Sequence, residues 1–177
     1  MTNMKIWDQV STSDPAFLRR VDFGRGFTAI DAHSQVQKAT EVFGAVGEGW
    51  GYHVDTSVHT LSPNDTLIIA NVSVWHGSPS NVYGPVSGCK ALMRNGKVDE
   101  DAPKKAMTDA MTKAFSHLGV SADVFLGLFD NNKYVEEMTK KFETPVNIKV
   151  VNVKELKNDK QSNASGTTGS RSRNQTN

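Results

Sequence analysis

The sequence predicts an α+β fold in which an antiparallel β-sheet of three or more strands packs against a long helix, with another helix preceding the sheet. Two neighbouring segments alternate apolar and polar residues, as strands do, and a later segment repeats apolar residues at helical spacing. Residues typical of turns separate these segments. The order helix, sheet, long helix favours an α+β arrangement over alternating strand and helix units.

The preceding helix is predicted over Ala32 to Phe43, where Val36 and Ala39 fall on one face. Gly44 supplies a stop signal for this helix. The glycine-rich run that begins there follows a helix instead of opening one, and it carries the acidic Glu48. The run therefore predicts a turn with positive φ angles, not a phosphate-binding loop.

Strands are predicted over Trp50 to Thr60, Thr66 to His76 and Val82 to Met93, with residues 62–65 as a turn between the first two. The three segments together indicate an antiparallel meander. The first strand is expected to be half-buried, because its apolar residues share one face. Those residues are Trp50, Tyr52, Val54, Thr56 and Val58.

The long helix is predicted over Ala102 to Leu118, and Gly119 ends it. A further helix is predicted over Asp130 to Phe142, and a last short strand over Val146 to Val153. The apolar stripe of the long helix consists of Ala106, Met107, Ala110, Met111, Ala114, Phe115 and Leu118.

The length and the last segment of the chain predict its domain organisation. The 177 residues suffice for a single domain with a tail. From Asn158 to Asn177 the only apolar side chain is Ala164, too little to offset the entropy of ordering the segment. We therefore expect a domain over residues 1–157 and a disordered polar tail over residues 158–177.

The composition excludes several classes of protein. Cys89 is the only cysteine, which is too few for a disulfide framework or a cysteine-rich zinc module. No segment reaches the ~18 apolar residues of a membrane span, and the first ten residues do not resemble a signal peptide. A P-loop motif is also missing. We expect a cytoplasmic protein without a membrane partner, a metal or another cofactor.

A small metal-dependent nuclease is one alternative function. His53, Asp55 and His59 share the polar face of the first predicted strand, but no metal-binding motif accompanies them. A solvated strand face is the simpler interpretation of these residues.

The segment from Phe23 to Phe27 has features of a nucleic-acid contact. It joins two aromatic rings to Arg25 and two glycines, so that rings can stack on bases while the cation contacts phosphate. The alternative is an ordinary turn with two buried rings. On the long helix Lys105, Asp109 and Lys113 recur at four-residue spacing, either along a groove or as a ladder of ion pairs.

Three blocks of sequence carry a family resemblance. The first comprises Lys38 to Gly44 and then Gly49 to Tyr52, with a Glu-x-Phe-Gly turn and a Gly-Trp pair. The second is Lys104 to Phe115, with an Ala-x-Thr-Asp pattern, and the third is Phe125 to Tyr134. Together with Phe23 to Ile30, which resembles the lead-in of the phage-encoded branch, the blocks cover roughly residues 20–135 and resemble the Rad-fifty-two-type single-strand DNA annealing proteins. The likeness is to their short phage-encoded branch, related to Erf-, RecT- and Red-beta-like recombinases.

The resemblance implies a protein that is not an enzyme and works without ATP. It would bind single-stranded DNA and anneal complementary strands in phage homologous recombination or repair, in the cytoplasm of an infected bacterial host. The resemblance also implies a homo-oligomer, a ring or helical arc, with DNA in an outer groove and its bases exposed. A host or phage single-strand binding protein or an exonuclease is a candidate further partner.

The predicted DNA-binding residues come from two sources. The resemblance carries over to Lys113, which matches a basic position on the family's long helix, whereas Thr112 and Ser116 stand where other members have Lys or Arg. Charge and location add the other candidates, namely Arg25, Phe27, Lys38, Lys90, Lys104 and Lys105.

The net charge of +1 is low for a nucleic-acid binder. An oligomer needs positive charge only along its groove, so the low charge predicts a modest affinity for each protomer. A single-strand DNA-binding module without annealing activity is the second alternative. The long helix argues against it, because a small β-barrel has little use for such an element.

Overall fold

The structure, a computed structural model, describes residues 4–22, 24 and 26–143. Within these residues the helices are α1 (Lys5–Val10), α2 (Ala32–Phe43), α3 (Ala102–His117), α4 (Ala122–Phe125) and α5 (Asn132–Phe142). The strands are β1 (Leu18–Val21), β2 (Phe27–Ile30), β3 (Trp50–Ser62), β4 (Asp65–His76), β5 (Val82–Arg94) and β6 (Lys97–Val98). Two 3-10 turns are Pro15–Phe17 and Leu128–Asp130.

The strands form two antiparallel sheets. The larger sheet has four strands in the order β3-β4-β5-β6, and β1 pairs with β2 in a separate hairpin. The predicted α+β class, the antiparallel meander and the long helix are confirmed. The predicted bounds of α2, β4, β5 and α3 differ from the observed ones by at most one residue at either end.

The core lies between α3 and the central strand of the larger sheet. On β4, residues Ile68, Ala70, Val72 and Val74 alternate toward α3 and are almost completely buried. The buried stripe of α3 contains Ala102, Ala106, Ala110, Met111, Ala114 and Phe115. Because four of these side chains are only methyl groups, the helix can lie close to the sheet.

Trp50 joins the sheet to both long helices. Its ring is completely buried and packs edge-to-face on Phe115 of α3, with ring centroids 5.3 Å apart. Its indole N–H donates a hydrogen bond of 3.2 Å to the Thr40 hydroxyl of α2. This tryptophan therefore fixes the start of β3 relative to α2 and α3.

The glycine-rich run between α2 and β3 is the predicted turn. Gly44 ends α2 with a φ of +102°, which favours glycine. Gly49 packs so tightly on the end of α2 that a β-carbon there would lie 1.8 Å from the Phe43 carbonyl oxygen. The run connects two elements and forms no phosphate cradle at a helix start.

The prediction of a half-buried first strand is correct only for its beginning. Trp50 is buried and Val54 is half-buried, but Tyr52 and Val58 on the same predicted face are 38% and 58% exposed. The reason is that α3 covers β4 and β5, whereas β3 lies at the edge of the sheet.

Periodicity could not identify five short elements, α1, β1, β2, β6 and α4, each of six residues or fewer. Asp123 of α4 anchors the segment that follows α1, because this 2% exposed carboxylate accepts hydrogen bonds of 2.7 Å from the Ser13 amide and the Ser13 hydroxyl. The Tyr134 hydroxyl of α5 donates a third bond of 3.0 Å. Burial, helped by the Asp123 charge, raises the pKa of Tyr134.

The predicted strand Val146 to Val153 and the predicted tail 158–177 lie outside the described residues.

Candidate nucleic-acid interface

A cleft runs along the outward face of α3. Three cavities of about 390, 440 and 370 Å³ follow one another there, and Thr112 lines all three. We call this cleft the α3 groove. Helix α3 forms the floor of the groove. Lys90 of β5 lines one side, and Arg19 with residues 27–33 lines the other. The floor residues are Lys104, Lys105, Thr108, Asp109, Thr112 and Lys113.

The amphipathic pattern of α3 creates this groove. Its small apolar residues face the sheet, so its polar residues necessarily face outward. The β1–β2 hairpin and the start of α2 stand along one side of the helix. On the other side β5 presents Lys90, whose cross-strand partner is Ile68 of the core strand β4.

The groove brings together five of the seven predicted DNA-binding residues. They are Phe27, Lys90, Lys104, Lys105 and Lys113, which come from β2, β5 and α3. Phe27 is 54% exposed, so the alternative of a buried ring at this position is wrong.

Two of the groove lysines are held by carboxylates. Lys105 Nζ lies 2.8 Å from Asp99 Oδ2, and Lys113 Nζ lies 2.8 Å from Asp109 Oδ2. The hydrogen bond to Lys105 lowers the pKa of the Asp99 carboxyl, and the same bond raises the pKa of Lys105. An incoming phosphate must therefore compete with a carboxylate for each of these two lysines. Of the ladder of ion pairs predicted from the four-residue spacing, only the pair of Lys113 with Asp109 is therefore found, since Lys105 pairs with Asp99.

Lys90 and Lys104 differ from these two lysines. Within the described part of the chain, neither has a carboxylate within 4.0 Å. Both line the same cavity of the groove, beside the hydroxyls of Thr108 and Thr112. Asp101 and Asp109 also line this cavity, but neither carboxylate lies within 4.0 Å of these two lysines. Among the described residues, a phosphate entering the cavity therefore meets two cations without a salt-bridge partner and two hydroxyl donors, which is the usual chemistry of a backbone contact.

Two further groove residues were not among the predicted sites. Arg19 of β1 is 82% exposed in its side chain, with Asp31 at 4.0 Å, and His33 stands at the start of α2. The sequence shows the pair Arg19-Arg20 as local positive charge, but it does not show which of the two arginines faces the groove. The register of the β1–β2 hairpin decides this. Arg20 instead bonds Asp130 at 3.1 Å.

Of the two remaining predicted residues, Lys38 does not join the groove. Lys38 is 28% exposed in its side chain, pairs with Glu41 at 3.4 Å, and lines a separate cavity with Phe17 and Ser34. It lies on another side of α2 from His33, which borders the groove. Arg25 lies outside the described residues.

The residues of the nuclease alternative do not assemble a metal site. In residues 4–22, 24 and 26–143, no three His, Cys, Asp or Glu side chains are placed to hold an ion together. On β3, His59 Nε2 lies 2.9 Å from the Ser57 hydroxyl, as expected for a solvated strand face.

Comparison with profiles of known protein families gives no match, and comparison with curated protein sequences gives none either. Among the described helices none is long and apolar enough to cross a membrane.

Proposed function

We propose that this protein binds single-stranded DNA and anneals complementary strands without ATP, as the sequence resemblance implies. The observation that carries the proposal is the α3 groove, which collects five of the DNA-binding residues predicted from the sequence. Residues from three separate elements, Phe27, Lys90 and Lys113, line one cleft. Its two threonine hydroxyls and the two lysines that have no salt-bridge partner among the described residues suit phosphate, and its exposed aromatic ring suits a base.

The charge of the groove predicts weak, salt-sensitive binding by each protomer. Five cations line the groove, and three of them have a carboxylate within 4.0 Å. Binding through so few phosphate contacts weakens as salt rises, because fewer condensed counterions are released. Useful affinity then requires that several protomers hold one strand at the same time.

Two free edges of the larger sheet support self-assembly. Within the described residues no strand pairs with the outer edge of β3, and β6 covers only Met93 and Arg94 of β5. β3 is 13 residues long and contains no Lys, Arg or Pro, the residues that usually protect an edge. Because the two edges differ, joining β3 of one copy to β5 of the next is a head-to-tail contact, which generates rings or open arcs.

The same proposal includes a role in phage homologous recombination or repair, in the cytoplasm of an infected bacterial host. A host or phage single-strand binding protein or an exonuclease is the expected further partner. The protein itself performs no covalent chemistry in this proposal and uses no cofactor.

An annealing assay tests the proposal directly. Two complementary oligonucleotides, one carrying a fluorophore and the other a quencher, are mixed with the protein in the absence of ATP and divalent ions. We expect annealing to be faster than the spontaneous reaction. The double variant Lys90→Glu/Lys104→Glu should abolish this acceleration, because it reverses both unpaired cations of the groove.

The matched control is Lys133→Glu/Lys140→Glu, which makes the same charge change at two exposed lysines of α5, outside the groove and away from the edges of the larger sheet. It should retain the acceleration. Binding without faster annealing would favour the single-strand binding module. If the protein does not bind single strands at low salt, the proposal is wrong.

A further inference from the structure

One end of the α3 groove is aromatic. Phe27 of β2 and Phe125 of α4 are 54% and 48% exposed, and both line the cavity that also contains Lys113. A second cavity, of about 210 Å³, is bordered by the same two phenylalanines. Two large apolar rings that face solvent around one cleft, beside a cation, are unusual on the surface of a soluble domain.

The two rings belong to elements that are tied together. The Arg20 guanidinium of β1 bonds the Asp130 carboxylate, which follows α4, with Nη1 and Oδ1 3.1 Å apart. Gly26 approaches Arg20 so closely that a β-carbon there would lie 2.9 Å from Nη2. Arg20 therefore links the hairpin that carries Phe27 to the segment that follows Phe125.

The chemistry of this end fits one nucleotide. An aromatic face stacks on any base, and a lysine beside it neutralises the phosphate. We propose that Phe27 and Phe125 form a stacking site for one unpaired base of single-stranded DNA, with Lys113 contacting its phosphate. This inference rests on the proposed function and adds a base-binding residue, Phe125, that the sequence analysis did not select.

Continuity with the rest of the groove favours DNA over a protein partner as the occupant. Thr112 lines both the cavity with Phe125 and the cavity with Lys104, so the cleft is uninterrupted. A strand whose phosphates follow Lys104 and Thr112 leads directly to the two rings. Asp109 and Lys113 place charge on the floor of the cleft, whereas the core of a stable protein interface is depleted of charge.

The site has a consequence for annealing. One stacked base per protomer would fix the register of the strand on the oligomer. The other bases, which the groove holds only through their phosphates, would stay available for pairing.

The experiment compares two strands that share phosphates but differ in bases. Binding of oligo(dT) and of an abasic oligodeoxyribose phosphate of equal length is measured by competition at fixed salt. We expect Phe125→Ala to weaken oligo(dT) binding roughly five- to tenfold and to leave abasic binding unchanged. Phe27→Ala should behave in the same way, and Phe125→Trp should restore oligo(dT) binding.

Phe17→Ala is the matched control, because Phe17 is 41% exposed and lines a different cavity. It should change neither affinity. Circular dichroism and native mass are recorded for each variant. Phe125 is half exposed, so its truncation should leave both unchanged.

Three results would overturn the stacking site. They are an unchanged oligo(dT) affinity in Phe125→Ala, an equal loss for the abasic strand, and a change in native mass, which would make this end an interface between copies. In each of these cases the wild-type protein still binds DNA and the proposed function stands. If the wild-type protein binds neither strand, the proposed function itself has failed.

Discussion

Gly88 of β5 lies directly beneath the backbone of Ala106 on α3: a β-carbon at position 88 would stand 2.2 Å from the Ala106 carbonyl oxygen. It would also stand 2.6 Å from the amide nitrogen of Ala110. Helix backbone therefore rests on strand backbone at this point, with no side chain between them. The contact sets the distance between the groove floor and the sheet, because Lys105, Asp109 and Lys113 project from the same two helical turns.

Gly88→Ala should destabilise the fold. The added methyl group meets backbone atoms that cannot rotate away, so α3 has to shift, and overpacking of this kind costs about 1–3 kcal/mol. Urea unfolding followed by circular dichroism measures the change in the free energy of unfolding. Cys89→Ala is the control, because Cys89 is exposed on the opposite face of the same strand. If both variants unfold at the same urea concentration, the close approach of α3 to β5 is refuted.

Lys113 and Asp109 should affect DNA binding in opposite directions. Lys113→Ala removes a groove cation, so affinity for single strands falls and the slope of log affinity against log salt decreases by about 1. Asp109→Asn removes the carboxylate that holds Lys113 at 2.8 Å, so affinity rises and the slope steepens. Fluorescence anisotropy with a labelled oligonucleotide at several salt concentrations gives both quantities.

Lys140→Ala serves as the control for these two variants, since Lys140 lies on α5 outside the groove. Its salt slope should equal that of the wild-type protein. An unchanged slope in Lys113→Ala would remove this lysine from the interface, and weaker binding by Asp109→Asn would show that the carboxylate organises the groove.

Helix α3 and strand β4 could be predicted because each buries one face, and the apolar residues of a buried face recur at the period of the helix or strand. The same reasoning placed Lys105 and Lys113 outward on one helix. The spacing of apolar residues does not show how the short β1–β2 hairpin packs beside α3. Strand β1 has four residues with two exposed arginines, so no pattern identifies it.

Lys38 shows that the sequence did not reveal how helix α2 is rotated about its axis. Its charge and its place on α2 made it a candidate, but the rotation of that helix about its axis decides which cleft it lines. The rotation is fixed by Ala39, which is buried against the core only one residue away. Phe125 shows the converse, since a large apolar residue predicts burial and this one is exposed.

The partial burial of the Tyr134 hydroxyl beside the Asp123 carboxylate predicts a dependence of stability on alkaline pH. The pKa of Tyr134 is raised in the folded protein above its usual value of about 10. The unfolded chain then loses the phenol proton first, so this contribution is complete below about pH 10 and is lost as the pH rises toward the folded pKa. The free energy of unfolding of the wild-type protein should fall above pH 10 more steeply than that of Tyr134→Phe.

Tyr134→Phe should also be less stable at neutral pH by about 1.5–3 kcal/mol, the usual loss for a hydrogen bond to a charged group. Urea unfolding at pH 7 and at several values above pH 9.5 measures both effects. Tyr52→Phe, at an exposed tyrosine of β3, is the control. Parallel pH curves for the wild type and Tyr134→Phe would contradict the predicted linkage.

The unpaired edge of β3 predicts how assembly can be blocked. Val58 is 58% exposed on this edge strand, opposite Ile68 of β4. Val58→Lys places a charge where another strand would add, which is how natural edge strands resist pairing. We expect a lower native mass in light scattering, together with weaker binding of long oligonucleotides, because fewer protomers then share one strand.

Val46→Lys is the matched control, since Val46 is 51% exposed but lies in the turn before β3. If Val58→Lys keeps the wild-type mass, assembly does not use this edge, and a mass that falls equally in both variants would indicate a general effect of added charge.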